Sequence, residues 1–166
     1  SLAELVGIIL NDGVRYPSVR MDRLRFAKGT PFETVFAAKS SEGERVLAPE
    51  VAATLRKALL DVVANGTARR VAKAYLDADG KVIPIGGKTG TGDHRYETFG
   101  RGGQLLSSRV VSRTATFIFF IGTRFFGAVT AHVQGEQAAG YDFTSALAAE
   151  LLKILAPELR PLINEN

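Results

Sequence analysis

A lysine, a glycine and two threonines within residues 84–92 have the types and spacing best suited to chemistry. The segment reads Pro-Ile-Gly-Gly-Lys-Thr-Gly-Thr-Gly. Side chains alternate along a strand, so Thr89 and Thr91 would share one face and Lys88 would point to the other. Two hydroxyls with a cation close by can hold a carboxylate, and Gly90 would let a second backbone approach. The spacing predicts a ligand site on a strand edge, and the alternative is an exposed strand or turn without a ligand.

The helix before this segment has the clearest pattern in the chain. Residues 48–65 begin with Pro49, which suits a first helical turn, and Glu50, which complements the helix dipole there. Asn65-Gly66 ends the pattern. The apolar stripe that would face the core is predicted at four positions with helical spacing: Val51, Leu55, Leu59 and Val62.

The strands after the segment are predicted to complete an antiparallel sheet. Residues 112–122 and 125–133 are rich in β-branched and aromatic residues, and only a tight turn around Thr123-Arg124 separates them. The first of these strands is predicted to be buried on both faces. The polar, glycine-rich residues 93–108 predict a mobile loop, which their composition favours over an RGG-type nucleic-acid-binding segment.

Elements at the two ends complete the predicted order. Asp142 would cap the last helix and Pro157 would end it. The inner face of this helix is predicted at Phe143, Leu147, Leu151 and Ile154. The remaining predicted elements are a helix over 2–9, strands over 20–26 and 34–38, a short helix over 67–74 and a turn over 77–80. The fold class is therefore α+β, with an antiparallel sheet of three C-terminal strands packed with helices.

The composition of the 166 residues indicates a single globular domain, 1–166. Hydrophobic residues make up 46% of the chain, which supports a packed core, and the absence of cysteine excludes disulfides and thiolate metal sites. The net charge of +4 is spread along the chain, so we expect no nucleic-acid partner. No apolar run approaches the ~20 residues of a membrane span. Neither a signal peptide nor an initiator Met precedes Ser1, so we expect a fragment or a truncated gene product.

Three segments together resemble the C-terminal half of a penicillin-binding protein transpeptidase domain. The first is Lys88-Thr89-Gly90, the Lys-Thr-Gly box, on the first of three strands. The second runs from Leu47 to Ala68 and resembles the family's long helix with its Val-x-x-Gly-Thr-Ala ending. The third, Asn11 to Pro17, resembles the family's Asn-Gly-Gly turn. The resemblance covers roughly residues 2–156 and implies a serine β-lactamase/transpeptidase-like fold.

Two further boxes of this family are missing from the sequence. One is Ser-x-x-Lys, which supplies the acylated serine, and the other is Ser-x-Asn. No serine of the chain has Lys three positions later or Asn two positions later. Thr54-Leu-Arg-Lys57 has the first spacing with threonine in place of serine, and we interpret it as a surface pair. Both boxes precede the matched segment in the family, so we expect the N-terminal portion of the domain, with its nucleophile, to lie outside this chain.

The resemblance implies acyl transfer through a covalent serine ester in peptidoglycan synthesis. The parent enzyme would attack the D-Ala-D-Ala amide of a stem peptide, release D-alanine and transfer the acyl group to the amine of a neighbouring stem. Lys88 and Thr91 would be catalytic, Lys88 by its charge near the nucleophile and Thr91 by a backbone N–H in the oxyanion hole. Thr89, Gly90 and Thr91 would bind the carboxylate of the donor or of a β-lactam.

The same resemblance implies no cofactor and no metal, and a location in the cell envelope, in the periplasm or on the extracytoplasmic face of the inner membrane. The long helix favours a penicillin-binding protein, of the bifunctional kind that carries a glycosyltransferase domain, over a serine β-lactamase or a D,D-carboxypeptidase of the same superfamily. We expect this chain alone to be inactive.

Functions of other classes remain open. A Ser-His-Asp triad needs a histidine beside an activated serine, and the candidates are Ser107 or Ser108, His94 and Asp93. A metal site could use His94, His132 and Asp93. A degenerate, non-catalytic penicillin-binding-like module could serve binding or assembly, with homodimers formed through an exposed sheet edge. An upstream Ser-x-x-Lys would favour the enzyme, and its absence would favour the module.

Overall fold

The computed structural model describes residues 1–21, 23–37 and 42–164, which form helices packed on a three-stranded sheet and two short two-stranded sheets. The α+β class predicted from the sequence is confirmed. In chain order, the elements are α1 (Leu2–Leu10), β1 (Val14–Arg15), β2 (Arg23–Phe26), β3 (Thr34–Ala37), β4 (Glu44–Arg45), α2 (Pro49–Asn65), a 3-10 helix (Arg69–Val71), β5 (Ile85–Phe99), β6 (Leu105–Ile121), β7 (Phe125–Gln134), a second 3-10 helix (Glu136–Gly140), α3 (Ala146–Ile154) and α4 (Ala156–Asn164).

The large sheet has the strand order β5-β6-β7, and all neighbours are antiparallel. Gly122 takes a positive φ of 62° in the turn that joins β6 to β7, so the tight hairpin expected there is present. Within the described parts of the chain, β5 and β7 each have one strand neighbour, which leaves an outer edge of each unpaired. The Lys-Thr-Gly box lies on β5 and therefore beside such an edge.

The prediction of a mobile loop over 93–108 is wrong, because most of these residues are strand. β5 continues to Phe99 and β6 begins at Leu105, so only residues 100–104 connect them. β7 pairs with β6 no further than Ser112, which leaves the outer part of β5 and β6 as a two-stranded ribbon. Polar side chains suit a ribbon that is exposed on both faces, and Thr98 and Ser107 join their hydroxyls across it at 2.6 Å.

One face of the large sheet, which we call the covered face, holds the main core. Phe117, Phe119 and Ile121 alternate along β6 on this face and pack against α3. Tyr75 is fully buried between these layers, and its hydroxyl donates to the carbonyl of Leu152 at 2.8 Å. Burial raises the pKa of Tyr75 to about 12.

The opposite face, which we call the open face, is covered at one end only. Phe120 packs there against Val6 and Leu10 of α1, with half-buried leucines of α2 beside them. Toward the ribbon, the open face is exposed at Thr130 and His132. Burial of β6 on both faces, expected for the whole strand, is therefore complete only at its Phe119–Ile121 end.

The apolar stripe predicted on α2 is confirmed in its second half, where Leu59 and Val62 are half-buried against the core, and wrong in its first half. Val51 and Leu55 are 44% and 38% exposed, whereas Ala52 and Val63 are buried. The helix has apolar residues on more than one side, so periodicity permitted two stripes. Contacts of α2 with α1 and β5 select the stripe that contains the small Ala52, because a small residue allows close approach.

The C-terminal helix also differs from its prediction in both its ends and its buried face. α3 begins after Ser145 rather than at Asp142, and Pro157 stands in the first turn of α4, where a missing N–H costs no helical hydrogen bond. Of the predicted inner face, Leu147 and Ile154 are exposed. The buried positions are Ala148, Ala149 and Leu152, because alanines let the helix lie close to the aromatic side chains of β6.

The remaining predictions agree with the structure at the level of element type. The N-terminal helix is present, and the two early strands pair as the hairpin β2–β3, although the first begins only at Arg23. Residue 22 of the first predicted strand and residue 38 of the second lie outside the described residues. The turn at 77–80 is closed by a hydrogen bond from Gly80 N–H to the Asp77 carbonyl, and the helix expected over 67–74 is limited to one 3-10 turn. In the described part of the chain, no helix is long and apolar enough to span a membrane.

Candidate functional site

Two glycines determine how closely the start of β5 approaches its neighbour. A Cβ at Gly86 would lie 2.2 Å from the ring of Phe120, and one at Gly87 would lie 2.4 Å from the carbonyl oxygen of Ile118. A larger residue at Gly87 would therefore displace β5 from β6, and one at Gly86 would displace either the strand or the ring of Phe120. The close approach at Gly86 and Gly87 therefore determines where the next residue of β5, Lys88, lies relative to β6.

The two threonines share the covered face, as their spacing predicts. Thr89 is only 7% exposed, and its hydroxyl lies 2.7 Å from that of Thr67. Thr91 is exposed, and its oxygen accepts a hydrogen bond of 2.8 Å from the backbone N–H of Ser145. Because the oxygen of Thr91 already accepts, its hydroxyl proton remains available for donation to a ligand.

Lys88 and Gly90 face the other way, onto the open face. Lys88 is exposed, and its ammonium group donates to the carbonyl of Thr89 at 2.7 Å. A Cβ at Gly90 would meet no atom within 4 Å, so this position opens onto free space. A ligand along the unpaired edge of β5 would therefore have hydroxyls on one side and an ammonium group on the other.

An ion pair next to the threonines ties β5 to the segment that enters α3. Arg113 donates to both carboxylate oxygens of Asp93, at 2.9 and 3.1 Å, and also to the carbonyl of Tyr141. The hydrogen bonds from Arg113 hold the pKa of Asp93 below its usual range. The chain from Tyr141 to Ser145 is thereby attached to the sheet at two points, Arg113 and Thr91.

Thr67 and Ser145 were not predicted as site residues. Gly66 lets the chain turn sharply after α2, since a Cβ there would lie 2.8 Å from the carbonyl oxygen of Val62. That turn brings Thr67 onto Thr89, and the Gly-Thr-Ala sequence after the helix was the only signal that could have identified it. Ser145 contributes a backbone N–H, for which side-chain patterns give no signal.

An open groove lies beside these contacts, between the end of α2 and the start of α3, with a cavity volume of about 740 Å³. Thr67 and Ser145 form the wall that it shares with the threonines of β5. Arg69, Arg70 and Glu150 line the rest, and Arg70 approaches Glu150 at 3.8 Å. The groove therefore lies next to the box, with Thr67 and Ser145 between them, and carries charged side chains.

The alternative sites are only partly assembled: His94 and His132 line one pocket on the open face, but their candidate partners lie elsewhere. Asp93 is bound to Arg113 on the covered face, whereas His94 and His132 lie on the open face, so neither the triad nor the metal set forms. The candidate serines bond to neighbours on the ribbon instead, Ser107 to Thr98 and Ser108 to Arg95 and Glu97.

Thr54 of the Thr-x-x-Lys sequence lies on the exposed side of α2, where its hydroxyl donates to the Glu50 carbonyl at 2.8 Å. The structure therefore agrees with the interpretation of this sequence as a surface pair.

Comparison with family models and with curated proteins finds no match to the sequence. Solved structures do match. Penicillin binding protein 3 of Mycobacterium tuberculosis superimposes with a TM-score of 0.60 at 21% identity, over 98% of this chain and 34% of that chain. The transpeptidase domain of penicillin-binding protein 3 from Burkholderia pseudomallei gives 0.55 at 23% identity, over 96% and 41%.

A third match is the D,D-transpeptidase domain of a peptidoglycan glycosyltransferase from Eggerthella lenta, with a TM-score of 0.54 at 23% identity, over 94% of this chain and 31% of that chain. The chain thus spans about a third of the length of these proteins. The resemblance inferred from the Lys-Thr-Gly box is confirmed at the level of the fold: the chain has the fold of part of a penicillin-binding protein transpeptidase domain.

Proposed function

We propose that this chain is the carboxylate-binding portion of a serine D,D-transpeptidase that cross-links peptidoglycan stem peptides. The arrangement of Thr89 and Thr91 beside an unpaired strand edge is the observation that carries this proposal. The solved relatives in fold are described as penicillin-binding proteins and peptidoglycan transpeptidases, which supports the same reaction class. Some of them were crystallised with aztreonam, ampicillin or ceftriaxone, which supports β-lactams as ligands of the parent enzyme.

In the proposed reaction, a serine outside this chain attacks the penultimate D-Ala carbonyl of a stem peptide. The C–N bond to the terminal D-Ala breaks, and the departing nitrogen takes up a proton. Thr91 donates its free hydroxyl proton to the terminal carboxylate, with Thr89 next to it. Lys88 supplies positive charge from the opposite side of β5. The backbone N–H of Thr91 is one donor to the developing oxyanion, and loss of such a donor typically costs about 2.7–4 kcal/mol.

We further propose that residues 1–166 are one portion of the domain and that the nucleophile lies on an N-terminal portion. Exposed apolar residues on α1 and α2 support this proposal, because a further segment of the protein could pack on them. Leu2 and Leu5 of α1 are 53% and 45% exposed, and Val51 and Leu55 of α2 are exposed as well. The open face of the sheet also offers free space at Gly90. The corresponding location of the parent enzyme is extracytoplasmic, where peptidoglycan is cross-linked.

Intact mass after incubation with a fluorescent penicillin tests the proposal, both on this chain and on the full-length gene product. We expect a covalent adduct on the full-length protein and none on this chain. In the full-length protein, Thr91→Val should slow acylation by roughly tenfold to a hundredfold, since a hydrogen bond to a charged group is worth about 1.5–3 kcal/mol. Thr130→Val, on the open face of β7, is the matched control and should acylate at the normal rate.

An adduct on this chain alone would contradict the assignment of the nucleophile to another portion, and Thr54 would be the first residue to map. If the full-length protein also stayed unlabelled, the transpeptidase proposal would fail. The second candidate function would then apply, a binding or assembly module. The unpaired edge of β7 favours it, because free backbone groups along an edge strand can pair with a second copy.

A further inference from the structure

We infer that the hairpin of β2 and β3 docks on the surface of a lipid bilayer that carries anionic phosphate headgroups. This inference does not depend on the proposed function, because it uses neither the Lys-Thr-Gly box nor the groove beside it. The hairpin pairs Arg23–Phe26 with Thr34–Ala37, and every residue of both strands is exposed. Neither face is therefore covered by the described part of the chain, and a two-stranded hairpin gains stability when a surface covers one of its faces.

One face of the hairpin is aromatic and aliphatic. Because cross-strand partners share a face, Leu24 lies beside its partner Phe36, and Phe26, two residues along β2, lies on the same side. The rings of Phe26 and Phe36 stand edge to face, with their centroids 6.0 Å apart. Both remain more than half exposed, at 52% and 61%. Contiguous exposed apolar side chains of this kind mark surfaces that bind a protein or a membrane.

The turn that joins the two strands extends this apolar surface to the outer end of the hairpin. Phe32, in the turn, is 82% exposed. The hydroxyl of Thr30 donates to the carbonyl of Ala27 at 2.8 Å, and the carboxylate of Glu33 accepts from the N–H of Gly29 at 2.9 Å. These bonds hold the turn through other side chains, so the ring of Phe32 has no packing role in the described chain.

Basic side chains accompany the apolar ones. Residues 20–37 contain four basic and two acidic residues. Glu33 is paired with Arg25 at 3.1 Å, whereas Arg23 and Lys28 form no ion pair with any described residue. Long basic side chains can lay their apolar stems along lipid while their charged ends reach the phosphate groups. The charge of the hairpin is therefore complementary to an anionic bilayer.

The shape of the hairpin favours a bilayer over a protein partner. A typical protein interface takes about 20–30 residues from each side. The hairpin offers only two four-residue strands and their turn, with apolar side chains at its outer end and basic ones along its length. A bilayer presents phosphate groups above an apolar interior, so a narrow hairpin can enter it turn first and satisfy both kinds of side chain.

Flotation of this chain with lipid vesicles tests the inference. One set of vesicles consists of phosphatidylcholine alone, and in the other set one lipid in three is phosphatidylglycerol. We expect binding to the anionic vesicles and much weaker binding to the neutral ones. Added salt should weaken the binding to the anionic vesicles, because it screens the attraction between basic side chains and phosphate groups.

Two substitutions separate the apolar and the basic contributions. Phe32→Ser should lower the partition coefficient for anionic vesicles about tenfold, since it removes an apolar ring from the end that enters the bilayer. Arg23→Gln should lower it about fivefold, the effect of one basic residue near an anionic surface. Both side chains are exposed and neither holds the turn, so both variants should unfold at the same urea concentration as the unsubstituted chain.

Phe99→Ser and Arg124→Gln are the matched controls, because they remove an exposed ring from the end of β5 and an exposed arginine from the turn between β6 and β7. Both should bind vesicles like the unsubstituted chain. Equal losses in the controls and the hairpin variants would overturn the inference, and so would full binding by Phe32→Ser. If the unsubstituted chain did not bind anionic vesicles, the inference would also fail, and an acidic protein surface would replace the bilayer as the partner to test.

Discussion

The covered and open faces of one sheet differ more than any other two regions of this molecule. Both belong to the same three strands, and side chains alternate between them with the same period. On the covered face, Phe117 is fully buried against α3. On the open face, its neighbour Thr116 is half-buried and faces Thr130 at 3.3 Å across the strands. One face therefore stabilises the fold, while the other leaves surface free for a partner.

The residues of the box point to both faces of the sheet, and the side chains on the two faces therefore have different contacts. Thr89 and Thr91 point to the covered face, where Thr67 and Ser145 hold them in place. Lys88 points to the open face, where it is exposed and its ammonium group donates to the Thr89 carbonyl. Fixed hydroxyls and an exposed cation at one edge fit a site that is completed by another part of the protein.

The largest expected difference between the faces is in packing. Phe117→Ala should lower the free energy of unfolding by about 3–5 kcal/mol, because it removes a fully buried ring and leaves a cavity. Thr116→Ala, one residue earlier on the open face, should change it by no more than about 0.5 kcal/mol. Urea unfolding followed by circular dichroism measures both. Similar losses from the two substitutions would show that the open face is part of the core.

A smaller difference is expected between two glycines of β5. Gly87→Ala should cost about 1–3 kcal/mol, since its Cβ would lie 2.4 Å from the Ile118 carbonyl oxygen and β5 would have to move. Gly90→Ala has free space and should be close to neutral for stability in this chain. Thermal unfolding of the two variants gives the comparison. If Gly90→Ala lowered stability as much as Gly87→Ala, the free space beside Gly90 on the open face would be contradicted.

The sequence predicts the sheet and its hairpin well, because their signals are local. Alternating apolar residues and a short turn, residues 122–124 in the structure, are sufficient for β6 and β7. It predicts less well which side of a helix is buried, since α2 has apolar residues on several sides and tertiary contacts select among them. It fails for the ribbon beyond His94, where polarity reflects exposure on both faces rather than the absence of a strand.

For the candidate site, the sequence predicts the residues of the box but not their supports. The spacing of Lys88, Thr89 and Thr91 is enough to assign them to faces. Thr67 is 22 positions from its partner, and Ser145 is 54 positions from its own and contributes only a backbone group. Such contacts depend on how α2 and α3 are placed over the sheet, which local patterns do not specify.

The smallest expected effect comes from Tyr75, whose hydroxyl joins the segment between α2 and β5 to the last turn of α3. Burial raises its folded-state pKa to about 12 from an ordinary value of 10.0. Between these values the folded chain keeps the proton that the unfolded chain loses, so stability should fall as the pH rises from about 10 to about 12. Tyr75→Phe should cost about 1 kcal/mol at neutral pH and make this fall less steep. Tyr96→Phe, on the exposed ribbon, is the matched control and should keep the full pH dependence. Unfolding curves in urea from pH 8 to pH 12 measure the free energy of unfolding at each pH. If it fell equally steeply with pH in the unsubstituted chain and in Tyr75→Phe, the burial of this hydroxyl would be contradicted.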